Sequence, residues 1–280
     1  MDEMPGPLAA LVTSVLGPDV DVWSRSWPGA ASRVWEARAP NGAAVFAKVH
    51  STPKFHRREV AAYESWVTLL GEDTPRLLAC DSALPGILVT PLPGVPVKFQ
   101  PLPPGQDAEV HALAGALARR IHDTAICPAA TASALPSAYV LKHLGRARLT
   151  DADLSRAQAV LVAAAQVTLP MVPTHGDFQP RNWLYNNDSR VRVIDFERAE
   201  PGASVRDFRL LVNGPWQERP DLREAFFDGY GRSLTTDEEI ALAGWVVLDA
   251  LDSAHWGAKD NDAEVLARGL AGLAQLRNGR

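Results

Sequence analysis

Apolar positions along the chain change their period in a way that divides it. Leu8 to Leu16 repeats at helical spacing and stops at Gly17-Pro18, which predicts a short amphipathic helix. Near-alternation then predicts strands over Val20–Trp23, Arg33–Ala39, Ala43–Val49, Pro75–Cys80 and Gly86–Thr90. Pro40-Asn41-Gly42 is a hairpin signal between the second and third. Among these strands, Phe55 to Leu70 carries Phe55, Ala62, Tyr63, Trp66, Leu69 and Leu70 on one helical stripe. Regular structure breaks at Pro91-Leu92-Pro93-Gly94, and residues 101–106 form a linker rich in proline and glycine. Helices dominate afterwards. Asp107 caps one that runs to His122 on Val110, Leu113, Leu117 and Ile121. Others are expected over 138–144, from a Thr150/Asp153 capping box to Gln166, over 219–230, from a Thr235/Glu238 capping box to Trp256, and over 263–276. The pattern gives an α+β fold: an antiparallel sheet with one main helix over 1–95, and a mostly helical part over 96–280.

Two carboxylates interrupt these apolar patterns. Glu59 lies in the middle of the Phe55–Leu70 stripe, and a carboxylate on a buried face requires a cation. Lys48, sharing a strand face with Phe46, could reach it; the alternatives are a solvated lysine and a Glu59 that meets water or a nearby arginine. Asp195 sits in the β-branched run Val191 to Phe196, which pairs with Asn182–Tyr185 across a turn at Asn186, Asn187 and Asp188. A carboxylate there is costly unless paired or bound to metal, and Asn182 stands across the hairpin to share a ligand. Amide plus carboxylate oxygen suits Mg²⁺, which takes its remaining ligands from water and phosphate.

Composition narrows the class. The chain has 280 residues, with 46% apolar and 22% charged, ordinary for a globular protein with a substantial core. No apolar run is long enough for a transmembrane helix, and the acidic start, Met1 to Pro5, has no signal-peptide character. Cys80 and Cys127 make no disulfide framework, so a cytoplasmic location is expected. A net charge of −5 argues against nucleic acid as a partner, and no membrane partner is expected. Between Pro201 and Asp262 there are 12 acidic and 6 basic residues, a surplus that would attract a cationic acceptor.

The stretch THGDFQPRNWLYNNDSRVRVIDFE, residues 174–197, carries the sharpest signal. It reads His175-Gly176-Asp177, then Asn182 five residues after Asp177, then Ile194-Asp195-Phe196-Glu197. This spacing resembles the base, metal amide and metal carboxylate of kinases. In the H-G-D and I-D-F-E forms it is similar to the aminoglycoside phosphotransferase and choline kinase family. The resemblance implies a two-lobed protein-kinase-like fold with a catalytic β-hairpin. It implies ATP as phosphoryl donor, with GTP not excluded, and Mg²⁺ on Asn182 and Asp195. Asp177 would be the catalytic base, His175 a loop brace, and Arg181 either a transition-state cation or a brace. Lys48 fixed by Glu59 would grip the nucleotide phosphates, and Thr90 and Leu92 would lie at the hinge that contacts adenine. The turn Trp27 to Ser32 falls where the family has a phosphate loop, although its single glycine also fits a plain turn. Asp207 would tether the catalytic loop.

For the acceptor, Asp249, Asp252 and Trp256 share a helical face with His255 beside them, and Glu197 could hold an amine; a solvated helix face is the competing reading. Length, the HGDFQPRNW loop and the arginine- and alanine-rich composition are similar to antibiotic-resistance kinases acting on aminoglycosides or on capreomycin- and viomycin-type peptides. A metabolic kinase for choline, homoserine or a sugar is the rival, marked by an aromatic cage to which Trp245 and Trp256 could contribute. A non-catalytic binding protein ranks last, since Asp177, Asn182 and Asp195 are all present. A monomer or weak dimer is expected.

Overall fold

The computed structural model describes residues 3–27, 32–81, 83–103, 105–124, 130–135 and 151–275. The chain forms two compact units, Met1–Pro101 with Pro180–Glu200, and Leu102–Gln179 with Pro201–Arg280. The sequence reading drew the line at residue 95 and put the 182–196 hairpin in the helical part. In the structure Trp183–Tyr185 forms a three-stranded sheet with Arg192–Val193 and Val95–Pro96, and this ladder holds the hairpin in the first unit.

Five strands make the main sheet of that unit: β1 (Asp21–Ser24), β2 (Arg33–Arg38), β3 (Ala44–Val49), β4 (Leu77–Asp81) and β5 (Gly86–Val89), in the antiparallel order β1-β2-β3-β5-β4. The β2–β3 register pairs Trp35 with Ala47 and Ala37 with Val45. With Leu88, these four pack under helix α1 (Gly6–Leu16) against Leu8 and Val12. Each large side chain buried there contributes roughly 1.5–3 kcal/mol. Alternation turns Lys48 to the opposite face. Helix α2 (Pro53–Ser65) opens with Thr52 accepting from the Phe55 amide and Pro53 at its first position.

The single helix expected to Leu70 is broken. Ser65 Oγ donates to the Ala61 carbonyl at 2.6 Å, a back-bond that competes with helix continuation, and 3₁₀ turns run from Val67 to Asp73. Thr74 Oγ1 closes them on the Val67 carbonyl. Leu69 therefore leaves the apolar stripe and is 66% exposed.

The second unit is built from α3 (Gln106–Asp123), α4 (Asp151–Gln166), α5 (Pro220–Tyr230), α6 (Thr236–Lys259) and α7 (Ala263–Gln275), with a short ladder of Thr131–Ser133 on Thr168–Pro170. The α3 cap is Gly105, not Asp107, whose carboxylate instead accepts from the Ala108 amide and from Arg219. The Thr235/Glu238 capping box forms in full. Residues 138–144 and Thr150 lie outside the described residues. Phe208, Phe226, Phe227, Tyr230 and Trp216 form an edge-to-face aromatic core beside α3. Helices α3 and α5 meet through Gly115 and Gly229: a methyl at the first would overlap the Phe226 carbonyl, and at the second the Ala112 carbonyl.

No helix among the described residues is long and apolar enough to cross a membrane.

Candidate active site

In the first unit, strand β3 and helix α2 bring the two expected partners together. Lys48 Nζ lies 2.8 Å from Glu59 Oε2, both nearly sealed from water. The same ammonium reaches Asp195 Oδ1 at 2.5 Å and Glu197 Oε2 at 3.0 Å. Burial disfavours the Lys48 charge, but the carboxylates of Asp195, Glu59 and Glu197 outweigh that and push its pKa well above the ordinary value. Burial likewise opposes Glu59, yet Lys48 and His50 hold its pKa down to about 2. Glu59 Oε1 accepts from the Phe196 amide at 3.2 Å, so one glutamate ties the lysine to the segment after the hairpin.

Asp195 was expected inside a strand. The strand ends at Val193, and Asp195 follows with φ at 71°, a left-handed conformation that aspartate tolerates at a cost. Its side chain stays 31% exposed, unlike Glu59. Asn182 is buried, and its carbonyl accepts from the Ile194 amide at 3.1 Å, which sets it beside the Asp195 backbone. Arg181 is exposed on the 3₁₀ turn Pro180–Asn182.

Glu197, expected to hold an acceptor amine, is instead held by Lys48 and by Ser32 Oγ at 2.7 Å. Ser32 ends the small-residue turn, of which residues 28–31 lie outside the described residues. Thr90 is committed to Arg76, the residue before β4: its amide donates to the Arg76 carbonyl and its hydroxyl accepts from the Arg76 amide. Leu92 is half-buried.

In the second unit, Asp207 organises the loop that bears Asp177. Asp207 Oδ2 accepts from the His175 amide at 2.9 Å, and Oδ1 from the Gly176 amide at 2.6 Å. His122 Nε2 adds a third contact at 3.1 Å, and His122 Nδ1 meets Tyr230 Oη at 3.0 Å. Burial would raise the Asp207 pKa, but His122, His175 and the Gly176 amide keep it below the ordinary carboxylate value. Gly176 has φ at 75°, the left-handed region open to glycine at no steric cost. His175 is fully buried, and its Nδ1 accepts from the Asp177 amide. Asp177 Oδ1 accepts from Gln179 Nε2 at 2.5 Å. Arg209, which the sequence reading overlooked, donates to the Gly176 carbonyl at 2.7 Å and to the Arg206 carbonyl at 2.6 Å.

The acceptor candidates on α6 separate. The Asp249 carboxylate accepts from Asn213 Nδ2 at 2.9 Å and faces Arg209 at 4.0 Å, an interior position. Asp252 and His255 are half-buried, while Trp256 is exposed with Lys259 over its ring at 4.3 Å and His255 edge-on.

A family model described as a phosphotransferase enzyme family matches residues 23–250. Among curated proteins the sequence finds no match. Solved structures of like fold span nearly the whole chain. The macrolide 2'-phosphotransferase MphH from Brachybacterium faecium aligns with a TM-score of 0.62 at 19% identity, over 96% of this chain and 98% of that one. Aminoglycoside phosphotransferase APH(4)-Ia aligns at 0.72 and 17%, over 97% and 98%. The APH(2")-IIa of a gentamicin complex aligns at 0.66 and 15%, over 98% and 97%. The fold is thus kinase-like. Matched over most of its length, the chain belongs to the phosphotransferase enzyme family.

Proposed function

We propose that this phosphotransferase moves the γ-phosphoryl of ATP, with magnesium, onto a hydroxyl of a small cationic antibiotic and so inactivates it. An aminoglycoside is the first choice of acceptor, and a capreomycin- or viomycin-type cyclic peptide follows closely. The observation that carries the reading is the buried Lys48 on Glu59, with the Asp195 carboxylate 2.5 Å from its ammonium, in a chain of this family. A lysine so fixed is suited to the nucleotide phosphates. Asn182 and Asp195 offer amide and carboxylate oxygens, a hard donor set that fits Mg²⁺, and the ion when bound would neutralise phosphate charge. Asp177, oriented by Gln179 on a loop fixed by Asp207, takes the proton of the acceptor hydroxyl as its oxygen bonds to the γ-phosphorus and ADP leaves. His175 braces that loop from within.

The acidic surplus between Pro201 and Asp262 supports a cationic acceptor. Solved structures of like fold include APH(4)-Ia with ADP and hygromycin B. The rival choline reading needs open aromatic faces. Trp245 donates its indole N–H to the Ala134 carbonyl and carries Arg206 over its ring, and Trp256 carries Lys259.

The test is incubation of purified protein with Mg·ATP and a panel of aminoglycosides, capreomycin-type peptides and macrolides, read by mass. One antibiotic gaining a phosphoryl group is expected. ADP formed only with choline-like or sugar acceptors would overturn the antibiotic reading and leave a kinase. No turnover together with no Mg·ATP binding would overturn both.

A further inference from the structure

His50, two residues beyond Lys48 and just past the end of β3, has no place in the mechanism so far. It is fully buried, with Nε2 2.6 Å from Glu59 Oε2 and Nδ1 3.0 Å from the Pro85 carbonyl. A carbonyl oxygen only accepts, and Glu59 is ionised beside Lys48, so it accepts too. A neutral imidazole donates from one nitrogen alone. The Pro85 carbonyl also accepts from the His50 amide and Glu59 Oε2 from Lys48, but only the doubly protonated ring points an N–H, and no lone pair, at each oxygen.

Charged and titratable groups surround the ring on every side. On α2 the ring faces Glu59, and it meets His56 with ring centroids 5.3 Å apart. Burial and the nearness of His50 lower the His56 pKa, and its Nε2 lies against the Gly86 carbonyl. On the strand just before it is Lys48, and Asp81 of β4 acts on the neighbouring His56. From the segment after the hairpin comes Glu197, whose carboxylate lies with His50 and Glu59 in one cluster of ligand atoms within 4.8 Å. Three carboxylates, Glu59, Asp195 and Glu197, thus converge on Lys48.

We infer that His50 is a positioning residue for the nucleotide lysine: as imidazolium it shares Glu59 Oε2 with Lys48 and holds the glutamate in place. The inference rests on the kinase reading of Lys48. It means that Glu59 keeps a cation when Lys48 turns toward phosphate. Loss of the His50 proton sets a ring lone pair against either Glu59 or the Pro85 carbonyl, and removes a positive charge from the place where phosphates must bind.

Two measurements test this. Steady-state kinetics of wild type and His50→Gln, from mildly acidic to alkaline pH, should show KM for ATP roughly tenfold higher in the variant on the acid side, the size of one charged hydrogen bond, with kcat little changed. The ratio should shrink toward one as pH rises, because the wild-type ring then loses its charge as well. A ratio that is constant across pH would assign His50 a merely structural role and overturn the proposal. The ¹⁵N imidazole spectrum of the unaltered, unliganded chain should show both His50 nitrogens protonated on the acid side, with loss of one proton along the kinetic limb. A ring with a single N–H throughout would overturn it even if the variant fails to fold. Wild type that binds no Mg·ATP at any pH would sink the kinase reading and the positioning role with it, while the spectrum would still report the ring's charge.

Discussion

Glu59 and Asp207 are both carboxylates with almost no access to water, and they are satisfied in opposite ways. Glu59 is held mainly by side chains, Lys48 and His50, with one backbone amide from Phe196. Asp207 takes two backbone amides, from His175 and Gly176, plus one histidine. Side-chain partners can leave: Lys48 already divides itself among three carboxylates, one of them the partly exposed Asp195. Backbone amides cannot leave without unfolding the loop they belong to. On the proposed function, the centre that would release a cation to its ligand is built from side chains, and the one that would hold a base still is built on the main chain.

Substitutions can break this contrast. The largest effect should come from Asp177→Ala, with turnover lower by roughly 10²–10⁴, Mg·ATP binding near wild type and stability unaltered. Retained full activity would falsify the assignment of the base. Asp207→Ala should cost about 3–5 kcal/mol in urea unfolding, since it strands two loop amides and a buried histidine. Glu59→Gln should cost less, about 1–3 kcal/mol, because Lys48 keeps Asp195 and Glu197, while KM for ATP rises. Equal stability losses in these two variants would erase the distinction. Asp207 also gives a pH test. Its pKa is lower folded than unfolded, so its contribution is complete above the unfolded carboxylate value of about 3.9 and is lost as pH falls through the folded one. The stability gap between wild type and Asp207→Asn should accordingly narrow on acidification. The smallest change, about 1 kcal/mol, is expected for Thr235→Ala, which removes the α6 cap and leaves both centres intact.

Lys48 and Glu59 were legible because a charge on an apolar stripe demands a partner, and strand alternation said where to look. The capping box at Thr235 and the tether at Asp207 were legible from local spacing and from family resemblance. His50 carried a signal that went unread: it follows Lys48 by two and so shares its face, but a lone histidine at a strand end looks like a surface residue. The break after Ser65 depends on a hydroxyl choosing a backbone acceptor over water, and periodicity does not register that choice. Asp249 looked available on its helix, and only tertiary packing brings Asn213 and Arg209 against it. The left-handed turn at Asp195 is likewise set by the hairpin around it rather than by the local run of β-branched residues.

The crossing of α3 and α5 works like a caliper closed on a single gap. His122 sits on one jaw and Tyr230 on the other, and the bond between them backs the contact of His122 with Asp207. Glycine at 115 and 229 lets the jaws touch main chain to main chain, so there is no compressible side chain between them to absorb an error. Adding one methyl group at either position would open the gap, and the misfit would travel along His122 to the amides of His175 and Gly176. Residues that touch neither nucleotide nor acceptor would then be read out as lost turnover.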